Sequence, residues 1–393
     1  MEKNKTLSAG FNICGNDTES FVKEVEALEE RTKSQIVDLE RYEVVSLIKE
    51  DTEHLYVHIY KADGTLTKAS ILKARFVSDH GKSLADEFSS IKICLRKDGV
   101  IYPISRKAVS GMLTLLGFGG YTIFDDRFSI RRNGDIAWGF ANLDKRATFI
   151  LRQEADTSKV FCVASDKYTY IPLTVMNDVL TKMSTMGTLK CFSWNINHDI
   201  AQIYLDLPDK ADEVAASYSL PNKIVPGIML VNSSTGCSSV TVRATARIGS
   251  SVIPIGICKR KHQGTIDTDA FLLEVEKKVF TEVLVIPDKL CDLIKVSVEP
   301  KAALKKAFAN IDMVDCIGKK NRDKVFEELS EEFNPSLPYT AYDIAIMCLQ
   351  MPERIKSSIK EDAYKKVTDN VVNCLFCDYT DSSVEEEKRL LTI

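Results

Sequence analysis

The sequence predicts an α+β fold: an antiparallel, hairpin-built sheet region with a helical C-terminal region. Three observations predict it. Runs that alternate apolar and polar residues are interrupted by Asp63-Gly64 and Asp98-Gly99, two dipeptides suited to tight hairpins. From Asp269 onward the apolar spacing becomes helical. Between these regions strand follows strand without regular helical crossovers, which argues against a doubly wound nucleotide-binding fold.

Taken in order, residues 19 to 34 place Phe21, Val25 and Leu28 at helical spacing above a charged face, predicting an amphipathic helix. Leu55, Val57 and Ile59 alternate with polar neighbours, and Thr65 to Leu72 returns as the second strand of a hairpin. The same pattern recurs at Ile91 to Leu95 and Val100 to Ile104 around Asp98-Gly99. A helix follows through Ala108, Met112 and Leu115. Ser105 suits its N-cap because a hydroxyl accepts a free backbone N–H, and Gly117 suits its C-cap because it tolerates the left-handed conformation.

Further on, Phe149 to Leu151 and Val160 to Ala164 read as short buried strands, and Val175 to Met183 as a helix. The run between Asp199 and Pro208 reads as a strand, as do Gly227 to Asn232 and Ser238 to Ile248 around a Ser-Ser-Thr-Gly-Cys turn. Helices are predicted at Ala270 to Thr281, Ala302 to Asn310, Arg322 to Glu332, Ala341 to Gln350 and Lys360 to Leu375. The chain thus divides into an N-terminal helical segment (1–50), an α+β core (51–265) and a helical C-terminal region (266–393).

With 393 residues, 45% hydrophobic and 27% charged, the chain can bury a substantial core. No apolar run near the start resembles a signal peptide, and none reaches the length of a membrane span, so a cytoplasmic protein without membrane contact is expected. Eleven cysteines, scattered except for Cys374 and Cys377, fit reduced thiols in a cytosol. Net charge is −4 but uneven: residues 91–190 carry 15 Lys and Arg against 9 Asp and Glu, whereas 1–90 carry 12 against 17 and 321–393 carry 9 against 15. A basic middle lies between acidic ends.

Three stretches carry a resemblance to a known family. They are Tyr102 to Gly117 with Tyr121 after it; Arg152 followed by Val160 to Ile171, which includes Ser165-Asp166-Lys167-Tyr168; and Pro226 to Ser239, which includes Asn232-Ser233-Ser234-Thr235-Gly236-Cys237-Ser238. In order and spacing they resemble the phage/plasmid-like protein family, a domain of unknown function found in mobile genetic elements. The chain departs from the family pattern at 253–260, where Ile-Pro-Ile-Gly-Ile-Cys-Lys-Arg replaces a Cys-Thr-Asn-Gly-like segment. The resemblance implies a phage or plasmid context and supplies no activity.

Local motifs for chemistry are sparse. Gly117-Phe118-Gly119-Gly120 follows a helix and lacks the lysine of a phosphate loop, so a helix C-cap explains it better. Cys374 and Cys377 have zinc-ligand spacing without a second ligand pair, and buried thiols are the simpler reading. The five histidines, His54, His58, His80, His198 and His262, fall in no catalytic motif. No catalytic residue, metal or cofactor is expected.

The turn residues Asn232, Ser233, Gly236, Ser238 and Ser239 can offer donors to a phosphate or base edge, although a turn that satisfies its own backbone has the same composition. The basic residues Arg127, Arg131, Arg132, Lys145, Arg146 and Arg152 are interleaved with Tyr121, Phe124, Phe128, Trp138 and Phe140, a combination that suits phosphates and stacked bases. Arg243, Arg247, Lys259, Arg260 and Lys261 form a second cationic stretch. Solvated arginines paired with carboxylates over core aromatics account for the same pattern. The leading expectation is a non-catalytic nucleic-acid-handling protein that binds or anneals single-stranded DNA or RNA in replication or recombination. The alternative is a self-assembling structural protein, a homo-oligomer, or one that contacts a host factor through its acidic ends.

Overall fold

The protein is represented by a computed structural model that describes residues 11–49, 54–61, 63, 65–73, 93–118, 129–154, 157–185, 187–235, 239–260, 268–282 and 284–380. Its first half runs β1 (Asn12–Gly15), α1 (Thr18–Glu29), β2 (Thr32–Asp38), β3 (Glu43–Lys49), β4 (His54–Tyr60), β5 (Leu66–Lys73), β6 (Cys94–Lys97) and β7 (Val100–Pro103). Then come α2 (Arg106–Leu116), α3 (Ser129–Asn142), β8 (Arg146–Glu154), β9 (Thr157–Ser165), α4 (Val175–Ser184), β10 (Lys190–Asn197) and β11 (Ala201–Asp206). After α5 (Pro208–Ser217) follow β12 (Ile224–Asn232), β13 (Val240–Ile248) and β14 (Ser251–Arg260). The helical part comprises α6 (Thr268–Glu282), α7 (Val285–Leu293), α8 (Pro300–Ile311), α9 (Met313–Ile317), α10 (Lys319–Ser330), α11 (Ala341–Ile355) and α12 (Glu361–Asn370).

The fold is α+β, and its named strand pairs are antiparallel. The larger sheets have the orders β1-β10-β11-β12-β13-β14, β2-β8-β9 and β5-β4-β3-β6-β7. Local signals place the β6–β7 hairpin and α2 as expected. Asp98 and Gly99 sit at φ 52° and 78°, the two positive values that a tight hairpin turn demands. Ser105 Oγ accepts from the Ala108 N–H at 3.0 Å, and Gly117 closes α2 at φ 80°.

The N-terminal region differs from the helical segment expected for 1–50. Its helix stops at Glu29, and Thr32 enters β2, opposite Arg152 on β8. Hydrogen bonds offered by a neighbouring strand replace the next helical turn. β1 pairs with β10, and β3 pairs with β4 and β6, so this region is woven into all three larger sheets. The segment 253–260 forms β14, the edge strand beside β13. Pro254 is tolerated there because an edge strand can lack one ladder N–H.

Two hydrophobic cores result. The first packs the six-stranded sheet against α1 and the C-terminal helices, through Phe21, Ile228, Val242, Phe308 and Leu349 among others. β12 is buried along its whole length, so both faces of the sheet are covered at this strand. The second core joins the smaller sheets to α2 and α3 through Leu39, Val44, Met112, Ile136 and Phe149. The segment after β9 belongs to the first core, where Ile171 and Leu173 are buried, and Tyr170 donates to both carboxylate oxygens of Glu29 at 2.7 and 2.8 Å. Among the described residues no helix is long and apolar enough to cross a membrane.

Gly111 sets how closely α2 approaches β9. A Cβ at this position would lie 2.0 Å from the Val163 carbonyl oxygen, so helix backbone rests directly on strand backbone. We expect Gly111→Ala to cost about 1–3 kcal/mol, the usual range for overpacking, despite the better helix propensity of alanine. Urea unfolding measures this; unchanged or increased stability would show that α2 can withdraw from β9.

Candidate nucleic-acid interface

The described arginines and lysines of the two basic stretches have different environments. Arg131 is exposed on α3, whereas Arg132 is buried, its Nε donating to Asn133 Oδ1 at 3.0 Å. Lys145 Nζ donates to the Leu115 carbonyl at 2.6 Å, a cation at the C-terminal end of α2 where the helix dipole favours it. Arg146 lies 3.5 Å from Asp38, its cross-strand partner on β2. Arg243 on β13 pairs with Asp369 on α12. Arg247 meets both carboxylate oxygens of Asp206 at 3.1 and 2.5 Å and lies over the Phe192 ring. Lys259 is exposed on β14, and Arg260 ends that strand. Arg127 and Lys261 lie outside the described residues, as do Tyr121, Phe124 and Phe128.

Arg146, Arg243 and Arg247 therefore each face a carboxylate supplied by a different element, and Arg132 and Arg152 are buried. Among the described residues, these five side chains do not form a merged cationic groove. The Arg247–Asp206 contact is two-pronged and mostly shielded from water, which makes it the strongest of these pairs. The looser, exposed Arg146–Asp38 contact contributes little.

Arg152 leads to a different site. It lies opposite Lys159 in the β8–β9 ladder, and both residues are only 1% exposed. Both cations stand over the Phe161 ring, at 4.7 and 5.0 Å from its centroid. Adjacent buried cations repel unless their surroundings stabilise them, and such arrangements concentrate at functional sites. The Arg152 guanidinium donates to Ser234 Oγ at 2.8 Å, to the His198 carbonyl at 3.1 Å and to His198 Nδ1 at 3.1 Å.

His198 belongs to the β10–β11 turn, which Asn197 holds by accepting the N–H groups of Asp199 and Ile200 at 2.8 and 2.9 Å. The imidazole packs against Phe161 and Phe11, with ring centroids 4.7 and 5.2 Å away. A guanidinium can only donate, so Nδ1 is the acceptor and the ring proton resides on Nε2.

The turn after β12 supplies hydroxyls. Asn232, Ser233, Ser234 and Thr235 are all at most 1% exposed. Part of this turn satisfies itself, as its composition allowed: Asn232 Oδ1 accepts from the Ser233 N–H at 2.7 Å, and Asn232 Nδ2 donates to the Pro172 carbonyl at 3.0 Å. Ser234 and Thr235 reach other elements. Ser234 accepts from Arg152, and Thr235 Oγ1 accepts from Lys107 Nζ at 3.1 Å, with Lys107 on the first turn of α2. Lys107 also lies 3.8 Å from Asp199 and keeps 31% of its side chain exposed. Ser239 precedes β13, and Gly236 and Ser238 lie outside the described residues.

Three segments far apart in the chain thus meet: Lys107 from α2, Arg152 with Phe161 from β8–β9, and the Asn232–Thr235 turn. They are the same stretches that carry the family resemblance. Lys107, Lys159 and His198 were missing from the expected site. Their signal was positional, since Lys107 lies inside one of these stretches and Lys159 directly precedes another. No protein-family model, curated protein or solved structure matches the chain.

The other local candidates remain structural. The N–H groups of Gly117 and Phe118 bond back to Thr114 and Leu113, so this loop turns both donors into its own helix. Cys374 is fully buried, its Sγ 3.9 Å from the Ala345 carbonyl, and burial pushes its thiol well above the usual range. Among the described residues no cluster of ligating side chains suits a metal ion.

The Arg152–His198 contact makes a direct prediction. Long-range ¹H–¹⁵N NMR correlations of the His198 ring at neutral pH should show the Nε2–H form. A proton on Nδ1 would mean that the guanidinium does not donate there.

Proposed function

We propose that this protein handles nucleic acid by binding its phosphate groups at the cluster of Arg152, Lys159, Lys107 and the Ser234–Thr235 turn, without a catalytic step of its own. The observation that carries this is the convergence of three cations and two hydroxyls from separate segments. A guanidinium fork matches pairs of phosphate oxygens, ammonium groups add charge, and hydroxyls complete the hydrogen bonding. Arg106 and Lys167, both exposed, lie beside Lys107 and Tyr168 in sequence and provide cations closer to solvent. Cations this deeply buried suit a single strand better than a rigid duplex, because a lone strand can turn its phosphates inward. The resemblance to the phage/plasmid-like family supports a role in mobile-element DNA or RNA metabolism.

Gel-shift titration of single- and double-stranded oligonucleotides at two salt concentrations tests this. Single strands should bind more tightly, and affinity should fall as salt rises because bound cations displace counterions. Lys107→Ala and Ser234→Ala should each weaken binding about fivefold to tenfold, the loss expected for one charged or hydrogen-bonded phosphate contact. Arg146→Ala should leave it unchanged, because Arg146 faces the Asp38 carboxylate and is not among the cluster's named contacts. Absence of strand binding at low salt would overturn the proposal. Loss of binding in Arg146→Ala alone would return the interface to the basic stretch around α3.

A further inference from the structure

We infer that a second copy of this chain docks on the C-terminal helices, with Leu337 of each copy seated in the cleft between α10 and α11 of the other. This surface shares no residue with the phosphate cluster and does not depend on it. The cleft has an apolar floor built from Val325 and Leu329 on α10, Met351 and Ile355 on α11, and Ile359 just beyond α11. The first four are at most 6% exposed and belong to the first hydrophobic core, so the floor is in place before anything docks. Arg354 on α11 donates to Glu332, just after α10, at 2.6 Å, and this pair ties the two walls together.

A knob stands beside the cleft. Glu332 lines the cleft, and a few residues later Leu337 is 58% exposed, the most exposed large apolar side chain among the described residues. Single exposed leucines are common, and this one is set apart by how it is held. Three hydrogen bonds fix its loop. The Tyr339 hydroxyl accepts from the Asn334 N–H at 2.8 Å, Asn334 Oδ1 accepts from the Ser336 N–H at 3.0 Å, and the Asn334 carbonyl accepts from the Leu337 N–H at 3.1 Å. Pro335 and Pro338 restrict the backbone further. A side chain presented on so constrained a loop loses little freedom when a partner buries it.

A second copy is the occupant these features fit. Knob and cleft are neighbours on one chain, so a two-fold axis beside them creates two equal contacts and closes the pair. Charge agrees with this pairing: exposed Glu331 precedes the knob, whereas exposed Lys356 and Lys360 flank Ser358 and Ile359 at the edge of the cleft. Lys356 lies 3.7 Å from Glu353 and over the Tyr364 ring, and it keeps 59% of its side chain exposed.

Sedimentation velocity of the full chain across the micromolar range reads the association, and it should show a reversible monomer–dimer equilibrium. Leu337→Asp and Ser358→Arg should each weaken that equilibrium about tenfold or more, since each spoils both apolar contacts of the dimer. Both positions are exposed, so both variants should keep the wild-type melting temperature. An equimolar mixture of the two should associate more tightly than either alone, because Leu337 of the Ser358→Arg chain meets the intact cleft of the Leu337→Asp chain.

A monomer at every concentration would overturn the inference, as would a dimer indifferent to both substitutions. A dimer lost in each variant and not regained in the mixture would place Leu337 against something other than the cleft, and overturn it too. Association that appears only after residues 381–393 are deleted would assign the cleft of the full chain to that segment in place of a second copy.

Discussion

The guanidinium of Arg152 is buried, and the hydrogen bonds of its two Nη groups tie distant parts of the chain together. Its hydrogen bonds reach the β10–β11 turn through His198 and the turn after β12 through Ser234. Those turns belong to the six-stranded sheet, whereas Arg152 lies on β8 in the three-stranded one. Removing such a group leaves polar partners stranded in a low-dielectric setting, which usually costs several kcal/mol. The relative placement of the two sheets and the geometry of the candidate site are consequences of the same contacts.

Around this point the chain divides its cations between two roles. Arg247 and Arg243 bind carboxylates of Asp206 and Asp369, holding β13 to β11 and to α12, and Lys145 neutralises the carbonyl end of α2. Arg152, Lys159 and Lys107 instead gather beside hydroxyls and aromatic rings. In the first set, charge joins structural elements; in the second, it is concentrated at a seam.

Local grammar was well expressed in the sequence. The Asp98-Gly99 hairpin, the Ser105 and Gly117 caps, and the apolar spacing of the C-terminal helices all produced the expected elements, because each depends on backbone geometry and hydrogen bonds within a few residues. β1, β2, β3, β10 and β14 were not legible. β2 follows α1 in a stretch whose charged residues read as more helix, and β14 contains Pro254 and Gly256, which strand propensity disfavours. Their pairing partners supply what local preference lacks. Of the candidate site, Arg152 and Asn232–Ser233 were visible as residues, but the charge pattern grouped Arg152 with solvent-facing neighbours.

Alone, the sequence determined the α+β class, the hairpins and caps, and the residues of the three stretches that later meet. Tertiary structure decided which cations are buried, which carboxylates claim Arg146, Arg243 and Arg247, and that Lys107, Lys159 and His198 join Arg152. The physical reason is range: a turn or cap is settled by interactions a few residues long, whereas the environment of a charge depends on groups brought beside it from tens of positions away, as with Arg152 and Ser234, or from more than a hundred, as with Lys107 and Thr235.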